Sequence, residues 1–351
     1  MGLTAHCRAA DRIPIKMIVL AGYESGKDIG DEPCEFQLWV ERDHLFDEIK
    51  VPGSPHVLRR NAAGLYGSVG KTSMDPQMTP VQDSELVMAL CLDPRFDLRK
   101  TYWLITGIGG IDPLTGSIGS AVWSENVIDG DALLEIDERE RPQNWPYGLY
   151  AIGAGAPNEL PPRHSANAGW GGASLDYTMA YPLNHALAHW AYNISKGVDL
   201  PDSPGLKAWR EQYKGYPLAQ LPPRVMMGDV MGSARYWHGP LRTQWARDWD
   251  KLWTGGKGTF SITAMEPADY VGTLTRMSAQ GFVDINRVMQ LRCASNYCMP
   301  PPDLGTEKTI GVENHGTLAA IEAEYRAGSA VVDEILKNWQ RYEDHIPGAR
   351  N

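Results

Sequence analysis

Residues 100–131 read KTYWLITGIGGIDPLTGSIGSAVWSENVIDGD, and this stretch decides the fold. It holds two runs of apolar and β-branched residues, at 101–108 and 120–128, separated by a segment rich in glycine. Continuous apolar runs of this length are typical of strands that are buried on both faces of a sheet. The stretch therefore predicts two core strands with a glycine-rich connection.

Similar runs recur along the chain and alternate with helical patterns. The further predicted strands are 15–21, 224–228, 260–265 and 287–295. The predicted helices are 83–92, 183–197, 267–281 and 317–342, the last with a break near Gly328. Two of these helices carry boundary signals, since Gly197 ends the pattern 183–197 and Pro267 and Gly281 bound the pattern 267–281. Strands that alternate with helices predict an α/β protein with three layers.

Residues 139–184 differ from the rest of the chain because they are rich in Gly, Pro, Asn, Trp and Tyr and show little periodicity. Irregular segments of this length in compact proteins are usually either functional covers or disordered segments. The chain shows neither an internal repeat nor a linker. We therefore interpret residues 1–351 as a single domain, with a core at about 14–345 and an irregular insertion at 139–184.

Composition excludes several classes of function. The chain of 351 residues has a net charge of −10, and its Lys and Arg residues are scattered, which argues against nucleic-acid binding. The apolar runs are shorter than the roughly 18 residues of a membrane-spanning helix. Five cysteines without a CxxC pair predict free thiols rather than a disulfide framework or a zinc site. The first residues lack a signal-peptide pattern, so we expect a cytoplasmic protein, the alternative being a periplasmic or secreted protein whose leader was removed.

Polar residues and glycines cluster where the predicted strands end. The ends carry Gly22 to Lys27, Gly107 to Gly110, Gly228-Asp229, Met265-Glu266 and Ser295 to Tyr297. In open α/β sheets, ligands bind outside the carboxyl ends of the strands. Glycine, carboxylate and amide groups suit a pocket for a polar small molecule.

These motifs carry a resemblance. The glycine-rich stretch 100–131 is similar to the signature of the nucleoside phosphorylase and nucleosidase superfamily. Together with "ALLEIDERE", "HWAYNISKG", "MEPADYVGTL" and "NRVMQLRCASNY", it resembles the purine nucleoside permease family over about residues 14–345. The resemblance implies a nucleoside phosphorylase-like fold with a central mixed, largely parallel β-sheet flanked by helices. It also implies a purine nucleoside or purine base as ligand, cleavage of the N-ribosidic bond, and a homo-oligomer as one state to expect.

The resemblance assigns roles to the strand ends. Met265 and Glu266 are expected to bind the ribose, Met against its face and Glu to its hydroxyls. Asn296 is expected to bind the purine, where the adenine-cleaving relatives have Asp, and an amide cannot deliver a proton at neutral pH. The other residues expected around the base are Gly109, Gly110, Tyr236 and Trp237.

The nucleophile is left open between water and phosphate. Glu24 lies where hydrolytic relatives have an acidic loop residue, and we expect it to be catalytic together with Asn296. Phosphate as a co-substrate would need a site for an anion, for which the candidates are Gly22, Ser25, Lys27 and Thr72, with Lys71 and Ser73 beside them. We favour hydrolysis, without a metal or other cofactor. The alternative is a non-catalytic protein that binds nucleosides for uptake.

Several of these residues also have an ordinary structural interpretation. Glu266 could cap the helix that begins at Pro267, and that proline favours extended backbone at Glu266. Asp229 is expected to fix a loop. His185 and His189 have helical i,i+4 spacing but lack a third ligand in the sequence, which favours packing over a metal site. His238 is a candidate acid that no neighbouring residue positions.

Overall fold

The computed structural model of the chain describes residues 12–75, 79–162, 177–311 and 316–348. Most strands of this part of the chain belong to one large sheet. Its strands, labelled β1 to β13 in chain order, are Met17–Glu24, Asp47–Ile49, Leu58–Arg60, Leu65–Thr72, Tyr102–Thr106, Ile108–Ile111, Ala121–Trp123, Asn126–Asp129, Ala180–Pro182, Val225–Met227, Asp229–Gly232, Phe260–Ala264 and Val288–Tyr297. The α-helices, labelled α1 to α8, are Gln37–Arg42, Val81–Leu92, His185–Ser195, Pro204–Arg210, Pro240–Trp253, Pro267–Ala279, Thr317–Lys337 and Trp339–Tyr342.

The sheet is mixed and largely parallel. Its order is β9-β8-β11-β12-β6-β13-β5-β1-β4-β3-β2, and β7 pairs with β10 and β13. The central strands run parallel to their neighbours in the order β6, β13, β5, β1 and β4. Strand β12 pairs with β6 in the antiparallel direction. Two pairs of two-residue strands lie outside it, Ile13–Pro14 with Phe96–Asp97 and Leu134–Glu135 with Leu149–Tyr150. The predicted fold class is confirmed.

The alternation of side chains along β1 explains the three layers. Ile18 and Leu20 point to the face that α2 and α6 cover, while Met17, Val19 and Ala21 point to the face that α7 covers. Successive side chains of a strand point to opposite faces of the sheet, so an unbroken apolar strand needs helices on both sides. These side chains are buried.

Helix α7 is continuous through Gly328, so the predicted break there is wrong. A Cβ on Gly328 would lie 2.8 Å from the Trp39 ring, so this glycine lets α7 pass close to α1. The helix ends instead at Lys337. A glycine inside a helical pattern thus marks a packing contact here, not a chain break.

The predicted strand 120–128 is divided in two, and the predicted strands 101–108 and 224–228 are each followed after a single glycine by another strand. Gly107, with φ of 144°, separates β5 from β6, and Ser124 with Glu125 separates β7 from β8. Gly228 separates β10 from β11. In each case the two strands have different sets of neighbours in the sheet. A run of apolar residues does not reveal such a change of neighbours.

No α-helix within the described ranges combines the length and the apolar character that crossing a membrane requires.

Candidate functional site

A cavity of about 230 Å³ opens where the strand ends of β1, β4, β6, β12 and β13 meet. Its lining residues are Tyr23, Glu35, Lys71, Ile108, Gly109, Gly110, Arg235, Tyr236, Trp237, Thr263, Ala264, Met265, Glu266, Ser295 and Asn296. Among the predicted site residues, the structure brings together the two expected at the ribose and all five expected at the base. This volume suits a small molecule with a few polar anchors rather than a polymer.

The carboxylate of Glu266 lies between two buried cations. Its Oε1 is 3.1 Å from Lys71 Nζ, and its Oε2 is 3.3 Å from Arg292 Nη2. Lys71 Nζ also lies 3.1 Å from Asp83 Oδ2. Burial raises the pKa of Glu266, but Lys71 and Arg292 more than offset this and hold the pKa below its usual value. Glu266 is therefore ionised at neutral pH and faces the cavity.

A second carboxylate, Glu35, faces the same cavity in a different environment. Its Oε2 accepts hydrogen bonds from the backbone N–H groups of Gly22 and Tyr23, both at 2.9 Å, and its Oε1 accepts one from Ile108 at 3.1 Å. Burial first, and then the charge of Glu266, raise the pKa of Glu35 to about 7, although Arg292 and the backbone donors act in the opposite direction. The two carboxyl groups of the pocket thus differ in protonation near neutral pH.

Gly22 allows the two carboxylates to lie close together. A Cβ at this position would be 2.8 Å from Glu266 Oε2 and 2.9 Å from Glu35 Oε2. Contacts shorter than about 3 Å between such atoms require one of them to move, so a larger residue would displace a carboxylate. Strand β1 therefore has a glycine two residues before its end, where the pocket needs space.

The side of the cavity where the purine base is expected is lined by glycines, an amide and aromatic rings. A Cβ on Gly109 would lie 2.5 Å from the Thr263 carbonyl oxygen, and one on Gly110 would lie 3.0 Å from Asn296 Nδ2. Asn296 Nδ2 donates to the Tyr297 carbonyl at 3.0 Å and to Tyr236 Oη at 3.3 Å.

Two aromatic residues of the cavity lining, Tyr236 and Trp237, differ in exposure. Tyr236 is half exposed, whereas the ring of Trp237 packs beside Trp245 and Phe260, with centroids 6.1 and 6.2 Å away. Together with Asn296, they present a flat surface and one amide to the cavity.

Glu24 does not line the cavity. It is fully buried, and its carboxylate accepts hydrogen bonds from the backbone N–H groups of Ser25, Cys34, Phe36 and Gln37. These bonds fix the loop that leads into α1. The sequence placed a carboxylate from this loop at the site, but the structure brings Glu35 there and gives Glu24 the role of holding the loop that carries it.

The candidate phosphate ligands do not line the cavity either. The N–H of Gly22 already binds Glu35, and Ser25 and Lys27 are exposed. Thr72 is buried, with its backbone N–H on Asp75 at 2.6 Å. Lys71 does reach the cavity, between two carboxylates.

Glu266 does not cap α6 with its side chain. Its backbone has φ of −92° and ψ of −25°, so the expectation of extended geometry before Pro267 is wrong. The Glu266 carbonyl accepts from the N–H groups of Asp269 and Tyr270, so the helical bonding begins at Glu266 and outweighs the preference that proline imposes. The carboxylate is left for the ion pairs and the cavity.

Two other residues singled out in the sequence lie outside the cavity lining. His238 Nε2 lies 2.7 Å from Thr309 Oγ1, and burial lowers the pKa of His238 to about 4, so it is neutral at neutral pH. Asp229 accepts from the N–H groups of Asn126 and Thr259, as expected for a residue that fixes a loop.

Glu35 and Arg292 were missed from the sequence. Glu35 follows an irregular loop, and the one local signal is its position two residues before α1. Arg292 is a charge inside the apolar run of β13, where it is fully buried. A charged residue in the middle of a core strand is a signal that could have been used, because such a charge needs a buried partner.

The sequence model of the family described as purine nucleoside permease matches residues 14–347. A probable purine nucleoside permease of Schizosaccharomyces pombe is 29% identical over 265 residues, which make up 72% of this chain and 72% of that protein. A purine nucleoside permease of Candida albicans is 26% identical over 309 residues, 86% of this chain and 72% of that protein.

A solved structure of similar fold is the 5'-methylthioadenosine/S-adenosylhomocysteine nucleosidase from Neisseria meningitidis in complex with methylthio-immucillin-A. It has a TM-score of 0.50 and 10% sequence identity, and covers 91% of this chain and 100% of its own. At this identity the likeness concerns the fold, a nucleosidase-like α/β sheet with flanking helices.

Proposed function

The chain belongs to the purine nucleoside permease family, and from this premise we propose that its cavity binds a purine nucleoside and cleaves the N-ribosidic bond by hydrolysis. The products are the free purine base and the sugar. The names of the relatives from Schizosaccharomyces pombe and Candida albicans support the class of ligand. The chemistry of the cavity supports the reaction.

Glu266 and Met265 bind the ribose in this proposal. An ionised carboxylate accepts hydrogen bonds from neighbouring hydroxyls, and Lys71 and Arg292 keep Glu266 ionised. Cleavage passes through a state in which the sugar carries positive charge, as in other glycosyl transfers. The negative charge of Glu266 stabilises that state more than the neutral substrate, which is what lowers a barrier.

Glu35 is the general base. The observation that carries the proposal is the contrast between the two carboxyl groups of one cavity, Glu266 with a lowered pKa and Glu35 with a pKa of about 7. Such a contrast is the usual mark of separate acid and base roles. Glu35 takes a proton from water as the water oxygen bonds to the anomeric carbon. The electrons of the carbon–nitrogen bond pass to the purine as Asn296 turns one N–H from Tyr236 Oη to a ring nitrogen of the purine. The departing purine then takes its proton from solvent water.

Water is preferred to phosphate as the nucleophile because of the charges at the site. The cations of the cavity lining are Lys71 and Arg235, and both are paired: Lys71 with Asp83 and Glu266, Arg235 with Glu135 at 3.0 Å. A phosphate would have to compete with these carboxylates and approach Glu35 and Glu266. Phosphate as co-substrate is the alternative within the same reaction class.

A second function, binding without cleavage, is favoured by one residue. Asn296 stands where a proton donor to the purine would be expected, and an amide provides none. To separate these functions, the purified protein is incubated with inosine, guanosine and adenosine, each with and without phosphate, and the release of free base is measured. Base release without phosphate supports hydrolysis. Strict dependence on phosphate would support phosphorolysis, and calorimetric binding without release would refute the enzymatic proposal.

A further inference from the structure

A second group of polar side chains lies apart from the cavity lining. Glu125, between β7 and β8, meets His185 and His189 of α3. All three donor atoms lie within 4.8 Å of one another. The two histidines are exposed, with side-chain exposures of 71% and 48%, so a dissolved ion could reach them. We name this group the Glu125 cluster.

The backbone fixes the positions of the Glu125 cluster. Strand β8 pairs with β9 so that Asn126 lies opposite Pro182, and the Leu183 N–H donates to the Glu125 carbonyl at 2.9 Å. Asn184 then caps α3 by accepting from the Leu187 N–H at 3.2 Å. The sheet therefore holds the carboxylate beside the first turn of α3, before any side chain contributes.

The donor atoms converge on one oxygen. His189 Nε2 lies 2.6 Å from Glu125 Oε1, and His185 Nδ1 contacts the same oxygen. Residues four apart share one face of a helix, and the two imidazole rings have centroids 4.6 Å apart. Within the described chain, Glu125 Oε1 has no partner with hydrogen-bond geometry, although it is shielded from solvent. Two imidazole nitrogens thus approach one carboxylate oxygen without forming directed hydrogen bonds.

We propose that the Glu125 cluster binds a divalent transition-metal ion, with zinc as the preferred ion. Imidazole nitrogen and carboxylate oxygen are ligands that zinc accepts, and three protein ligands leave a fourth position for water. Glu125 is also close enough to Asp229 for their charges to interact, so a cation relieves repulsion there. The sequence lacked a third ligand for the His185 and His189 pair, and the sheet supplies it. The ion would join the start of α3 to the edge of β8.

The test uses the full chain without an affinity tag, freed of metals with EDTA and returned to metal-free buffer at neutral pH. Zinc is titrated by calorimetry, bound zinc is counted by mass spectrometry, and cobalt is added in parallel because its visible absorption reports nitrogen ligands in the wild-type protein. We expect a single ion per chain and a higher melting temperature with zinc. Magnesium should have neither effect, because it prefers oxygen ligands.

The variants H185A, H189A and E125Q test the ligands, and H345A is the matched control because His345 is also exposed. Loss of an outer partner of a metal ligand costs about 10- to 100-fold in affinity, so loss of either histidine should cost at least about tenfold. H345A should bind zinc as the wild type does. Zinc binding that persists in the double variant H185A/H189A would overturn the proposal. So would a wild-type protein that binds no zinc, since the cluster would then be an ion pair.

Discussion

Replacing Glu35 with glutamine should nearly abolish base release while leaving nucleoside binding in place. The change removes the proton acceptor but keeps the shape of the side chain. The Glu266 carboxylate, with its partners Lys71 and Arg292, is unaltered, so the proposed ribose anchor remains. The loss should therefore appear in kcat rather than in the dissociation constant.

The size of the effect follows from the contacts of Glu35. General base catalysis contributes about 10²- to 10⁴-fold, so kcat should fall within that range. The glutamine carbonyl can still accept from Gly22 and Tyr23, but the amide group cannot accept from the Ile108 N–H. Leaving one buried donor without an acceptor costs about 1–3 kcal/mol of stability, which a protein of this size tolerates.

The pH profile adds an independent check. A general base acts when deprotonated, so with a pKa of about 7 the wild-type rate should fall by about tenfold for each pH unit below 7 and level off above it. The E35Q variant should lose this acid limb. Release of base is followed by chromatography, and binding by calorimetry with inosine. A kcat within a factor of about two of wild type, or an unchanged acid limb, would refute the assignment of Glu35 as the base.

Two other substitutions test the surroundings. Gly22→Ala would bring a Cβ to within 2.9 Å of both carboxylates. We expect kcat/KM to fall by about 100-fold while the circular dichroism spectrum stays unchanged. Retained activity would show that the carboxylates can move without loss of function. Asp250→Asn tests a buried pair of carboxyl groups. Burial and then the charge of Asp229 raise the pKa of Asp250 to about 8. Because the folded protein holds this proton more tightly than the unfolded chain, the stability of the wild type should fall as pH rises from about 4 through 8. Asparagine mimics the protonated acid, so the melting temperature of D250N should change less over that range, and identical profiles would contradict the raised pKa of Asp250.

The parts of the site that could be predicted are those that lie at the ends of apolar strands. Gly109 and Gly110, Met265 with Glu266, and Asn296 all follow or end such runs, and the carboxyl ends of neighbouring strands meet at one edge of the sheet. Their roles at the ribose and base remain predictions. Local pattern was enough here because the strands themselves were long and apolar.

The partners of Glu266 could not be predicted in the same way. Lys71 lies 195 residues earlier in the chain, in a strand whose sequence LYGSVGKT mixes glycine and polar residues and was not recognised as a strand. Pairing over such a distance depends on the order of strands in the sheet, which the sequence pattern does not specify. The helical backbone of Glu266 likewise depends on hydrogen bonds to residues beyond the proline.

Glu24 and Glu35 show why a shifted pKa alone does not identify a catalytic residue. Burial raises the pKa of both to about 7, and they lie near the two ends of the segment that links β1 to α1, Glu24 as the last residue of β1 and Glu35 two residues before α1. The carboxylate oxygens of Glu24 accept hydrogen bonds from four backbone N–H groups, whereas Glu35 borders the cavity beside Glu266. Desolvation makes a carboxyl group able to exchange a proton near neutral pH, but access to the ligand decides whether that proton takes part in chemistry. Glu24 therefore holds the loop from which Glu35 reaches the cavity.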